Sequence, residues 1–322
     1  MLIFYCMKII CFFVLIFGST ISRAQVDTIN YLVYHKKIVE IEETYVSEDF
    51  EKADSLYTSL FCKYNPPFLS DIVTALQISV MANNFDHSKQ LLELSVLKGA
   101  KPECLKELAV LQKIPKVYWD NIDKKYPLLR KQYFNSIDSV LNRAFARRFE
   151  KEQRLKMSHE KNDIFQQNAD HIYRIIKLKG NFPGEKMIGI NMSGLKNYGK
   201  CSFVSSTAVV SLLHYSFGFS EFEKYYQKAM ETGYLHPRDF ADIYTFEYDK
   251  RKKRTFLYAK NTTVNWPVFP KYRFNFLYGP KIWDMEKVNA DRAKFGICSY
   301  ETDRKKLALE KKYGLKLRFQ AY

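Results

Sequence analysis

Apolar residues recur at three- and four-residue intervals along most of this chain, the spacing of helices that each bury one face. The first such stretch covers Tyr31 to Val46. A second begins with Phe50-Glu-Lys-Ala-Asp-Ser-Leu-Tyr. In a third, Leu69 to Ala82, the positions Ile72, Ala75, Leu76, Ser79 and Val80 form one stripe. Asn83-Asn84 breaks the pattern, and a fourth stretch starts at Phe85. Pro102 to Lys113 reads as a short helix, followed by Pro115 and a loop at Tyr118-Trp119. A long helix is predicted after Pro127, a residue suited to a first turn, with the stripe Phe134, Ile137, Leu141, Ala144, Phe145 and Phe149. Asn162 to Lys179 is predicted as a helix closed by Gly180.

Residues 181–200 hold a third of the 12 glycines and read as a loop. Ser205 or Ser206 then caps a helix carrying Val209, Leu212, Leu213 and Phe217. Ser220-Glu-Phe-Glu223 has the form of a capping box ahead of the stripe Phe222, Tyr225, Tyr226, Ala229 and Met230, which Gly233 closes. Beyond Tyr234-Leu-His-Pro-Arg-Asp the period changes from helical to two. Tyr272, Phe274, Phe276 and Tyr278 alternate with Lys271, Arg273, Asn275 and Leu277, predicting a strand whose antiparallel partner is Thr255 to Ala259. A basic helix from Asp284 to Phe295 completes the prediction.

The segments beginning at Phe50 and Phe85 align with one another about 35 positions apart, each preceded by its own amphipathic stretch. Paired helices at this spacing resemble tetratricopeptide repeats over roughly residues 28–100, without the Trp-Leu-Gly signature of that family. The resemblance implies stacked hairpins with a concave face that takes peptides or proteins. The fold class expected is mainly α: tetratricopeptide-like hairpins over 25–130, then a helical domain over 131–322 carrying a small antiparallel β-hairpin at about 255–278.

From Met7 the chain reads as a secretory leader: Lys8, an apolar run from Ile9 to Phe17, and small residues Ser22 and Ala24 before Gln25. Cleavage is expected after Ala24, with Met7 as the true start, so the protein is expected to be exported, periplasmic or secreted. The apolar run is too short for a permanent membrane span. Cys62, Cys104, Cys201 and Cys298 remain after cleavage. Three pairings are open to them, and a Cys62–Cys104 bridge between neighbouring helices stands beside buried free thiols as the reading. No CxxC or other metal-ligand spacing occurs, so no metal and no cofactor are expected.

The formal charge is +16, of which +14 remains once Lys8 and Arg23 leave. That surplus allows contact with anionic envelope polymer. Its scatter over several helices fits a generally basic solvated surface better, and a solvated turn accounts for the run Lys250 to Arg254. Gly189 to Gly194 lacks the Gly-Lys-Ser/Thr of a phosphate loop, and no specific nucleic-acid site is expected.

Five stretches in order carry a second likeness: Glu152-Gln-Arg-Leu-Lys156, "KGNFPGEKMIG", "VVSLLHYS", "FEKYYQKAMETGYLHPRDFADIY" and "VNADRAKFGI". Over about 150–298 the chain resembles a bacterial domain family of unknown function. That family has Asp and Arg where Glu152 and Lys156 stand, and a His where this chain has His214 or Tyr215. Its Asp-Arg pair is absent near Thr245-Phe246. The likeness implies a polar cleft that includes Glu152 and Gln153.

No HExxH or Gly-x-Ser-x-Gly pattern is present. The candidate chemistry rests on His214 at the end of one apolar helix and His236 at the start of another, with Asp239 or Asp242 orienting an imidazole. The leading functional expectation is a non-enzymatic protein- or peptide-binding module of the cell envelope. An envelope hydrolase using His214, His236 and Asp239 or Asp242 is the alternative. Each polar residue of the His236 stretch also has a local use, with His236 at a cap position, Pro237 in the first turn and Asp239 at the positive end of the helix dipole.

Overall fold

The computed structural model describes residues 30–155, 161–190, 206–258 and 284–317; of 161–162 and 248–258 it describes the backbone course only. The expected leader therefore lies outside the described residues. Within them are fourteen helices, one short 3-10 turn and no strand.

α1 (Tyr31–Val46), α2 (Phe50–Lys63), α3 (Leu69–Met81) and α4 (Phe85–Leu97) pack in sequence as two helical hairpins. Local chemistry starts three of them. Asn30, Asp49 and Asn84 accept from the backbone N–H of Leu32, Lys52 and His87, at 2.9, 3.2 and 3.2 Å, satisfying first-turn donors. Asn83 takes φ +56, the left-handed conformation that asparagine tolerates and that the tight α3–α4 turn needs. Asp54 on α2 ties the hairpins together, receiving Asn84 Nδ2 at 2.8 Å and facing His87 Nδ1 at 2.7 Å. α3 is buried on nearly every side, so its apolar run needs no polar face.

α5 (Pro102–Lys106) and a 3-10 turn (Ala109–Lys113) lead into α6 (Lys116–Ser136). The loop predicted at Tyr118-Trp119 is helical, and Pro127 lies inside α6 instead of opening a helix. Proline removes one intrahelical bond, a cost that the buried Trp119, Ile122, Leu129 and Tyr133 of the same helix offset. The break falls at Ile137 instead, where Asp138 caps α7 (Ser139–Leu155) by accepting from Leu141 N at 2.9 Å. α8 (Lys161–Lys179) returns beside α7. Next, α9 (Glu185–Ile188) follows a close backbone approach, since a Cβ on Gly184 would lie 1.4 Å from Tyr234 O. The Tyr133 hydroxyl pins the following chain, donating to Ile190 O at 3.1 Å and accepting from Ile190 N at 3.0 Å.

α10 (Thr207–His214), α11 (Glu223–Glu231) and α12 (Pro237–Tyr258) complete a second core with α7 and α8. Ser206 precedes α10 without a side-chain cap bond, and the box expected at Ser220 does not form. Glu247 of α12 instead accepts from the N–H groups of Phe219 and Ser220, at 2.7 and 3.0 Å. The β-hairpin expected at about 255–278 finds no support: Thr255 to Tyr258 continue α12, and the remainder lies outside the described residues. The run Lys250 to Arg254 is likewise helical, not a turn, as long straight-chain cations permit.

α13 (Met285–Lys294) matches the last predicted helix, but α14 (Tyr300–Tyr313) lies beyond it. Two apolar clusters result. The first spans Tyr31 to Leu129 and also takes in Ile190, Leu309, Leu315 and Leu317; the second runs from Leu141 to Tyr244 with Phe295 and Ile297. The end of the chain thus returns to the first hairpins. The proposed Cys62–Cys104 bridge is absent: Cys62 on α2 is free and exposed, while Cys104 on α5 is buried and disulfide-bonded outside the described residues. A bridge needs Cβ atoms that face each other, and these two point to solvent and to core.

Candidate functional site

On α7 the inward stripe Leu141, Phe145 and Phe149 continues at helical spacing to Glu152, carrying its carboxylate into the interior with no solvent exposure. Asn168 of α8 donates to Glu152 Oε2 at 2.5 Å. His214, the last residue of α10, turns Nδ1 to Glu152 Oε1, and Phe165 flanks its ring at 5.6 Å between centroids. Three helices thereby place Glu152, Asn168 and His214 together across 62 positions of sequence. With Nδ1 held by the carboxylate, Nε2 is the nitrogen through which His214 would exchange a proton. Gln153, the other residue of the motif, has a buried Nε2 with no hydrogen-bond partner, and so has the Asn168 Oδ1.

His236 is elsewhere. Its Nδ1 accepts from Arg238 N at 3.1 Å, so the imidazole itself caps α12. That leaves the proton of the neutral ring on Nε2, which faces Asp71 Oδ1 of α3 at 3.6 Å. Asp71 also accepts from Tyr34 Oη at 2.7 Å. His35 lies edge-on to His236, with ring centroids 5.2 Å apart. Burial opposes a charge on either ring, but Asp71 overcomes it for His236, whose pKa rises above 6.5. His35 has no such partner and is driven well below 6.5 by burial and by His236. Of the two adjacent rings, His236 takes the proton.

Asp239 and Asp242 are partly buried on α12, and the charge of Asp239 acts on His236 and on Glu185. The four candidates do not gather at one point. His214 serves Glu152 in the second core, whereas His236 serves Asp71 against Phe68 of the first.

A third polar group was not legible in the sequence. Glu42 of α1, Arg238 of α12, Arg292 of α13, and Asp303 and Lys306 of α14 meet around Cys298. Lys306 Nζ lies 2.5 Å from Glu42 and 3.4 Å from Asp303, and Arg238 reaches Asp303 at 3.1 Å and Glu42 at 3.4 Å. Arg292 bonds Asp303 and donates to Cys298 O at 2.5 Å. Burial alone would raise the Asp303 pKa, but Arg238, Lys306 and Arg292 hold it well below 3.8. Burial, with Glu42 beside it, pushes the Cys298 thiol up to about 12, so it stays protonated and is no nucleophile. The only sequence signs were Arg238 and Arg292, inside two of the quoted motifs; Asp303 and Lys306 stand on a helix the pattern did not announce.

Among the described residues no group of three His, Cys, Asp or Glu side chains is arranged to hold a metal ion, and no helix is long and apolar enough to cross a membrane. Comparison with family models, curated proteins and solved structures finds no match for this chain.

Proposed function

We propose that this chain is an exported, non-enzymatic binding module of the cell envelope whose helical hairpins hold an extended peptide. One observation carries the reading. Gln77, fully buried on α3, pairs its side-chain amide with the main chain of Lys316, donating to the carbonyl and accepting from the N–H, each at 2.7 Å. An amide with one donor and one acceptor stands in for the neighbouring strand of a sheet and grips backbone regardless of sequence. The leader-like residues from Met7 to Ala24 support export. The test is to pan a random peptide display library on the immobilised chain, with a Gln77→Ala chain in parallel. Enriched peptides that bind in solution and lose affinity for Gln77→Ala support the reading. A library that enriches nothing beyond the Gln77→Ala control removes it.

A second reading, acid–base catalysis, is favoured by the buried Glu152–His214 pair, because two motif stretches far apart in sequence supply it. Turnover of p-nitrophenyl esters, phosphates or glycosides that His214→Gln abolishes and His236→Gln leaves intact would displace the binding-only reading. Equal rates for the wild type and His214→Gln would remove the catalytic one.

A further inference from the structure

The end of the described chain has the form of a ligand. α14 stops at Gly314, whose φ of +70 lets the backbone turn sharply out of the helix. Leu315 is then buried, Lys316 exposed and Leu317 buried, the alternation of an extended strand. Both leucines enter the core of the first hairpins, with Leu309 of α14 beside them in the same cluster. Between the leucines, Gln77 holds the peptide units of Lys316 on both sides. One further bond, from Leu317 N to Glu310 Oε1 at 2.9 Å, ties the segment back to its own helix.

We propose that residues 314–317 are a cis-bound occupant of the chain's own peptide groove, and that the groove takes an extended Leu-x-Leu segment of a second polypeptide in their place. This rests on the binding-module reading above and names its ligand class. Main-chain pairing to Gln77 sets the register of any extended segment, while the two sites filled by Leu315 and Leu317 select leucine at alternate positions. The exposed side chain between them is left unselected. Gly314 confines release to a rotation at one residue, so α14 keeps its Lys312 bonds to Glu48 while the tail departs. A tethered occupant acts at a high local concentration, which keeps the groove closed to weak competitors until a stronger segment arrives.

The experiment uses the full chain and a fluorescent peptide of residues 312–317, read by anisotropy. Binding to a Leu315→Ser/Leu317→Ser chain is expected to be at least about tenfold tighter than to the wild type, because the cis occupant is weakened. Adding Gln77→Ala is expected to undo that gain. Equal affinity for the wild type and the serine variant, or indifference to Gln77, overturns the inference. Loss of the helical circular dichroism signal in the serine variant overturns it as well, since the tail would then be core and not ligand. If display yields Gln77-dependent peptides while the tail peptide fails, the tail inference falls and the binding module stands; if both fail, both fall.

Discussion

Glutamine in place of Glu185 removes one titration from the junction between the two cores. Glu185 opens α9 and accepts from Leu69 N at 2.8 Å, supplying from another helix the N-terminal cap that Phe68 cannot give α3. Its surroundings resist its charge. Burial is the largest influence; Lys98 and the Leu69 bond oppose it, and Asp239 and Asp71 reinforce it, leaving the carboxyl at about 7 against an ordinary 4.5. A group whose folded pKa is raised contributes stability that is complete below its unfolded pKa and is lost as pH climbs to the folded value. Between pH 5 and pH 8 this linkage removes about 2–3 kcal/mol from the wild type. Glutamine keeps the acceptor oxygen and does not titrate. Urea unfolding at both pH values is therefore expected to show Glu185→Gln gaining on the wild type by about that amount on going to pH 8. The raised pKa of His236 adds a slope of the same sign to both proteins and cancels in the difference. A stability difference that does not change with pH, or one that favours the wild type more at pH 8, refutes the reasoning.

Three further outcomes follow from the packing. Asp303→Asn leaves Arg238, Arg292 and Lys306 facing one buried carboxylate fewer, and is expected to cost about 3–5 kcal/mol in urea unfolding at pH 7. Because its folded pKa is depressed, Asp303 contributes fully above 3.8 and its contribution disappears only as acid protonates it below that value. Iodoacetamide followed by peptide mapping is expected to modify exposed Cys62 in the native protein and Cys298 only after unfolding; native labelling of Cys298 would contradict its burial and raised pKa. Gly189→Ala would set a Cβ 2.0 Å from Tyr133 Oη at a backbone φ of +66, and is expected to lower stability by at least about 1–3 kcal/mol in thermal unfolding, a neutral result showing that Tyr133 does not seat there.

Much of the helical plan could be read locally. Tyr31–Val46 and Leu69 onward were delimited by stripe and cap alone, because a buried face and a first-turn acceptor both lie within a few residues of the backbone they organise. The same logic misplaced the break near Pro127. A proline inside α6 is tolerated once its neighbours are buried, and burial is not a local property. The strand expected from Thr255 failed for a related reason: a short β-prone stretch joined to a helix already propagating adds one hydrogen bond per residue, whatever its own preference.

The sites divide along the same line. Glu152 lay on the continuation of a legible stripe, so its burial followed from the sequence, and the cap role of His236 did too. Their partners did not. His214 for Glu152, Asp71 for His236, and Asp303 for Arg238 stand many residues away, and which carboxylate meets which cation depends on how whole helices dock. Sequence alone determined that this is a helical chain with inward polar residues at known positions. Only the tertiary structure decided which of them pair and that the last residues lie against Gln77, because a buried charge or amide takes its partner from whatever helix the packing brings within bonding distance.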